Sequence, residues 1–380
     1  MSEVVLFDEL TAIHGKKIGV ATLNSPKSLN ALSHDMVHAL LPKLRQWQDN
    51  PDIAMVLVQG SGEKAFCAGG DIVHLYKGMQ NDTQGAQSAS QYFCDEYKLD
   101  YLIHAYNKPL LVWGSGIVMG GGLGLMAGAS HRIVTETSRI AMPEITIGLF
   151  PDVGGSYFLN RMPKGCGLFL GLTGASVNAA DALHVNLADH FLTNERKQVL
   201  LDQLIEVHWG DTISLNHEKL TKVLSSLGAE VKSSLPKSNL VKHQQLIESL
   251  TSGSSLSEIV DAITTIDSDD KWLQRAQKTL QHGSPLSAHI IYRQLQTSKP
   301  LSLSDCFRFE LSLASKCAEY GEFQEGVRAL LIEKDNQPKW KFATIDEVDP
   351  QVLDWFFECK WQASNHPLAE LGLRPIAVGQ

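Results

Sequence analysis

Paired cysteines are missing. The six cysteines, Cys67, Cys94, Cys166, Cys306, Cys317 and Cys359, are scattered over 380 residues without a single C-x-x-C spacing. That excludes a disulfide framework and predicts free thiols in a reducing compartment. Positive charge is also in deficit, with 33 Lys and Arg against 42 Asp and Glu and a formal net charge of -9. Such a balance argues against a nucleic-acid partner, because phosphate binding needs basic patches that displace counterions. It leaves room for an anionic small ligand held by a few local Lys or Arg. No run of about 18 apolar residues exists, so no membrane span is expected. The opening MSEVVLFDEL lacks a basic start followed by an apolar run and is too acidic for a transit peptide, which makes a cytoplasmic location the expectation. Neither G-x-S-x-G nor H-E-x-x-H occurs, so serine-hydrolase and zinc-protease chemistry lack support. The 14 histidines form no ligand-like cluster in the sequence, and no metal is expected.

What is present reads as a soluble globular protein, 43% hydrophobic and 20% charged. Its most informative stretch is MPEITIGLFPDVGG, residues 142 to 155. The only charges in it are two acids, Glu144 and Asp152, each preceded by a proline that keeps it out of a regular helix. Surface segments normally mix both signs of charge, so these acids are expected to face something. A helix cap and a turn aspartate are the competing explanation.

The chain begins with two strands around His14-Gly15-Lys16-Lys17. An amphipathic helix follows, with Met36, Val37, Leu40, Leu41, Leu44 and Trp47 at helical spacing and a kink or break expected at Pro42. Residues 52 to 60 form a buried strand that runs into the glycine-rich loop GSGEKAFCAGGDI. A helix from about Ser88 to Tyr106 comes next, with Glu96 at the border of its apolar stripe. KPLLVWGSGIVMGGGLGLMAGAS then repeats the plan of strand, glycine turn and helix. Two such rounds predict an α/β layout with loops gathered at strand ends, where sites form. From about Gly171 the pattern becomes largely helical, which places a boundary near residue 205.

Each glycine cluster, Ala68-Gly69-Gly70 and Gly120-Gly121-Gly122, follows a predicted strand. Glycine there lets a backbone N–H approach a ligand, and two such donors converging would form an oxyanion hole. Taken singly, each is more often only a tight turn. Residues 122 to 127 also fit the dinucleotide pattern G-x-G-x-x-G/A, but a further strand intervenes before Glu144, which should instead end that strand.

AFCAGGDI, the triple glycine with its preceding strand, and MPEITIGLFPDVGGSYFLNRMP resemble the crotonase (enoyl-CoA hydratase/isomerase) superfamily. DEYKL at 95 to 99 and EFQEGVRALLIEKDNQPKW at 322 to 340 resemble its acyl-CoA thioester hydrolase branch. The resemblance implies a crotonase-like ββα spiral core over residues 1 to 205 that binds CoA, followed by a mainly helical C-terminal region over 206 to 380. It implies hydrolysis of a short 3-hydroxyacyl-CoA thioester in valine degradation, with no cofactor beyond the CoA of the substrate. It assigns Glu144 and Asp152 as catalytic carboxylates, the amides of Ala68 and Gly121 as oxyanion hole, and Glu96, Gly69, Gly70, Asp71 and Gly120 as substrate-binding. Gly124 is a departure: hydratases carry their first catalytic glutamate there, so paired-acid hydration is not expected. A dienoyl-CoA isomerase also spaces a glutamate and an aspartate eight residues apart, and a non-catalytic CoA-binding relative is the other alternative. Lys27, Lys64 and Lys108 are candidate partners for the CoA phosphates. Superfamily members form trimers and hexamers, so a homo-oligomer is one expectation, and a monomer covered by its C-terminal helices is the other.

Overall fold

A computed structural model describes residues 3–80 and 83–373. Its main sheet has the order β1-β2-β3-β5-β7-β9. These strands are Val5–Thr11, Lys17–Leu23, Ile53–Gly60, Leu110–Gly114, His131–Val134 and His190–Phe191, respectively. The first pair is the antiparallel hairpin expected from sequence, and every later pairing is parallel. Residues 53 to 58 of β3 are all buried, as a strand covered on both faces requires.

A second, parallel sheet of three short strands positions the site. β4 (Ala65–Cys67), β6 (Ile117–Met119) and β8 (Arg139–Ala141) pair in the order β4-β6-β8. Because all three run the same way, the segments that follow them leave from one edge. Those segments are the Ala68-Gly69-Gly70 loop, the triple glycine and the Met142–Asp152 stretch. Parallel pairing therefore collects three stretches that lie far apart in the sequence.

Helix α1 (His34–Asp49) starts at Ser33, whose side chain caps the amide of Met36. It runs through Pro42 without the break that was one of the two expectations there. Pro42 and His38, whose carbonyl loses its helical partner, both lie on the exposed face, where water can replace the bond. α2 (Ile72–Met79) follows the first glycine loop, and α4 (Gly121–Ala127) begins inside the second. α3 (Thr83–His104) starts earlier than its periodicity indicated.

The C-terminal region does not stand apart from the core. The helix Leu303–Tyr320 packs along α3 and stops at Gly321, which adopts φ 101°. The helix Glu322–Val327 then continues into a π-helical turn, Arg328–Ile332. Gly326 lies so close to the Glu144–Ile147 turn that an added Cβ would fall 2.4–2.6 Å from the backbone of Ile147. A contact that tight with backbone cannot relax by side-chain rotation. Gly326→Ala is accordingly expected to cost about 1–3 kcal/mol, read as a lowered melting temperature with an unchanged denaturant m-value.

Candidate active site

At the shared strand edge lies a cavity of about 250 Å³. It is lined by the first glycine loop, Tyr92, Phe93 and Glu96 of α3, Gly120, Gly121, Glu144, Asp152, and Leu330 and Leu331 of the π-helical turn. A larger cavity of about 710 Å³ in the C-terminal region contains none of these acids, and its cations Arg293, Arg308 and Lys360 are already ion-paired.

The carboxyls are buried. Glu144 is 5% exposed, Asp152 4% and Glu96 2%. The stretch Met142–Asp152 thus folds inward, and turn chemistry alone does not explain its acids. Glu96 is likewise no solvated helix charge beside Lys98. Its Oε1 stands 2.2 Å from where a Cβ on Gly121 would be, so only glycine fits between this carboxyl and the start of α4. Glu144 Oε1 stands 3.0 Å from the corresponding point on Gly120. Among the described residues, Glu144 Oε2 and Glu96 Oε1 have no hydrogen-bond partner. Unpaired buried oxygens are costly and mark positions where a ligand group can be received.

Asp152 accepts a 2.6 Å hydrogen bond from the Tyr97 hydroxyl. The next residue, Val153, is held at φ +49°, a left-handed conformation that is a true outlier for a β-branched side chain. Glu310 over-determines this strained turn. It is fully buried on Leu303–Tyr320, and its two oxygens accept the amides of Gly154 at 2.8 Å and Ser156 at 2.7 Å. No local sequence signal identified Glu310, because its role arises from a contact 154 to 156 residues away in the chain.

Gathering acids without a nearby cation raises their pKa values. Burial, followed by the charge of Asp152, pushes Glu144 and Glu96 well above the carboxylate range. Burial raises Asp152 to about 6 despite the opposing Tyr97 hydrogen bond. Asp100, one turn along α3 from Glu96, is raised by burial and by Glu96. Glu310 is pushed by burial to about 8, against the two amides it accepts. Since its folded pKa exceeds its unfolded value, the native state holds a proton that the unfolded chain releases. Its contribution to stability is therefore full below about pH 4.5 and is lost as pH rises through about 8. Thermal unfolding across pH 5–8 is expected to show stability falling as pH rises, with a shallower slope in Glu310→Gln.

The glycine loops require one correction. The Ala68 amide, assigned above to the oxyanion hole, donates to the Leu29 carbonyl at 3.1 Å and is already satisfied. The Gly70 amide differs: among the described residues it has no partner, and it lies 3.3 Å from the Cβ position of Gly121. Among the described residues the Gly121 amide, in the first turn of α4, has no partner either, whereas that of Gly120 donates to the Ala141 carbonyl. Gly69 lines the cavity, but Asp71 does not. Its side chain caps α2 by accepting the amide of His74. Lys108 is excluded as a phosphate partner, because its buried Nζ donates to the carbonyls of Trp47 and Asn50. Lys27 and Lys64 are exposed.

At Gly124 a Cβ would lie 2.7 Å from Val153 Cβ and 2.8 Å from Asp100 Oδ2. No side chain fits there, and the place of a hydratase glutamate is filled from α3 and from the strained turn. Residues 18–357 match the family model described as enoyl-CoA hydratase/isomerase. The chain belongs to that family. It is 38% identical over 342 residues to the mitochondrial 3-hydroxyisobutyryl-CoA hydrolase of Danio rerio, covering 90% of this chain and 87% of the relative. The Homo sapiens enzyme of the same name is 36% identical over 341 residues, covering 90% and 86%. Among solved structures, an enoyl-CoA hydratase from Rhodobacter sphaeroides superposes with a TM-score of 0.80 at 30% identity, covering 94% of this chain and 98% of the other. A carnitinyl-CoA dehydratase from Mycobacterium thermoresistibile does so at 0.82 and 31%, covering 94% and 97%. The crotonase-like α/β core expected from sequence is therefore the fold of this family member. Among the described residues, no helix is long and apolar enough to cross a membrane.

Proposed function

We propose that this protein hydrolyses the thioester of 3-hydroxyisobutyryl-CoA, and of the smaller 3-hydroxypropionyl-CoA, to the free hydroxy acid and CoA. The step belongs to valine degradation and needs no cofactor beyond the CoA that the substrate carries. The observation that carries the reading is the distribution of acids. Glu144 and Asp152 face the cavity, while the place of a second hydratase acid, at Gly124, has no room for a side chain. A hydratase divides the handling of water between two glutamates. Here one glutamate works beside an aspartate suited to a substrate hydroxyl.

In this mechanism the thioester carbonyl oxygen lies between the amides of Gly70 and Gly121. Each preorganised donor is worth about 2.7–4 kcal/mol toward the tetrahedral oxyanion. Ionised Glu144 either attacks the carbonyl carbon, giving an anhydride that water opens, or takes a proton from the water that attacks it. The C–S bond breaks as the oxyanion collapses, and the departing CoA thiolate takes up the proton that the water gives up, through Glu144 in the general-base route or once water opens the anhydride in the nucleophilic one. Asp152 accepts the hydrogen bond of the 3-hydroxyl, which fixes the acyl chain. Leu330 and Leu331 close the apolar side of the cavity. The free thiols fit a reducing compartment, which both the cytoplasm and the mitochondrial matrix provide.

The test is a substrate panel of 3-hydroxyisobutyryl-CoA, 3-hydroxypropionyl-CoA, crotonyl-CoA and a dienoyl-CoA, with free thiol and conjugated-enoyl absorbance followed together. Thiol release from the two hydroxyacyl thioesters is the expected result. Absorbance change without thiol release would instead establish a hydratase or isomerase.

A further inference from the structure

The fold assembles one ligand set that the sequence does not display. His34 and His38 stand a helical turn apart on α1, with ring centroids 4.1 Å apart. Asp95 reaches them from α3: its Oδ2 lies 3.0 Å from His34 Nε2 and 3.4 Å from His38 Nε2. Among the described residues these form the one group of three or more His, Cys, Asp or Glu side chains whose ligand atoms lie so close together. The expectation that the histidines form no cluster is corrected on this point, since 61 and 57 residues separate Asp95 from the pair.

We propose that His34, His38 and Asp95 bind one divalent transition-metal ion of the zinc class on the outer side of the α1–α3 contact. The spacing suits it. Bonds of about 2.0–2.1 Å in a tetrahedral site set ligand atoms about 3.3–3.4 Å apart, close to the two distances found. Two imidazoles and a carboxylate form a borderline donor set that favours Zn²⁺ or Co²⁺ over Mg²⁺ or Ca²⁺. Without an ion, two ring N–H groups and the Gln91 amide, 3.0 Å away, compete for the single oxygen Oδ2. A dication takes the place of the two Nε2 protons, which move to Nδ1 as each ring changes tautomer, and so removes that competition. The side chains of His34, His38 and Asp95 are 33%, 59% and 15% exposed, so solvent can complete the coordination. Lys98 Nζ, 3.5 Å from Oδ1, works against a second cation, so the site is expected to be weaker than an enclosed structural zinc site.

The location gives the ion a mechanical consequence. Leu32, just before α1, donates its amide to the Gly69 carbonyl at 2.8 Å and accepts the Tyr92 hydroxyl of α3 at 2.8 Å. A metal bridge from α1 to α3 would brace the same three-way contact that holds the first glycine loop.

The test uses the full chain stripped with EDTA, in a Cys359→Ser background that removes the exposed thiol. Co²⁺ is titrated by visible absorbance, and Zn²⁺ by calorimetry and thermal unfolding. One ion per chain with a raised melting temperature is expected, and affinity should fall by on the order of tenfold or more in His38→Ala. His38 is exposed, so this truncation leaves the fold intact, and Asp95→Asn serves as the second variant. Absence of saturable binding, or binding equally tight in both variants, would overturn the site.

Discussion

Replacing Glu144 with glutamine is expected to lower kcat for thiol release by about 10³-fold, within the range typical of losing a positioned base. The substitution keeps the size of the side chain and removes only its ability to ionise. Its carboxyl is 5% exposed, lies against Gly120 and has one oxygen free of protein partners. Glutamine there can neither attack an acyl carbon nor accept a water proton. KM should change little, because the carbonyl is held by backbone amides that the substitution leaves in place. Stability at neutral pH should rise slightly, since glutamine spares the folded state the proton uptake that the raised pKa of Glu144 requires. Stopped assays of thiol release, read beside thermal unfolding, separate these effects. A variant with near-normal kcat would remove Glu144 from the chemistry while leaving the fold untouched.

Asp152→Asn is the second large effect, and it should depend on the substrate. With a 3-hydroxyacyl thioester, kcat/KM is expected to fall by about 10²-fold, the scale of a charge-assisted hydrogen bond lost in a dry site. With an unsubstituted acyl-CoA of equal length the loss should be several-fold smaller, because that substrate has no hydroxyl to orient. Tyr97 complicates the variant in a known direction. Its hydroxyl donates to Asp152 Oδ2, and asparagine keeps an acceptor for it only when the amide oxygen faces that way. This fixes the amide nitrogen toward the cavity, where it meets the substrate hydroxyl as a donor instead of an acceptor. Equal losses with both substrates would argue against hydroxyl orientation and for a general electrostatic role.

The acids stood out in the sequence as two carboxylates in an otherwise uncharged, proline-punctuated run, but the run alone left a helix cap and a turn aspartate as the competing explanation, and it is their burial that weighs against it. The glycine loops were legible as turns, and the resemblance to a family supplied their purpose. Which amide in the first loop is free was not legible. Ala68 and Gly70 differ only in that the Leu29 carbonyl meets the former, a long-range contact with no local signature. The same limit hid Glu310, whose partners Gly154 and Ser156 lie 154 to 156 residues away, and the place of Leu330 and Leu331 in the cavity lining. Pro42 failed as a helix breaker because its position faces water, which periodicity around that residue could have indicated. Asp71 failed as a ligand because an aspartate immediately before a helix serves first as its cap.

The pH dependence of kcat/KM for thiol release tests the central claim most directly, because it reports the ionisation of the group that does the work. Glu144 must be ionised to act, and burial together with the charge of Asp152 holds it protonated to unusually high pH. The rate is therefore expected to fall, as pH is lowered, through an acid limb well above the ordinary carboxylate range. In Asp152→Asn, where the neighbouring negative charge is gone, that limb should move to lower pH. A limb at the ordinary carboxylate value, or one that Asp152→Asn leaves in place, would contradict a buried, Asp152-coupled Glu144 as the reacting carboxylate.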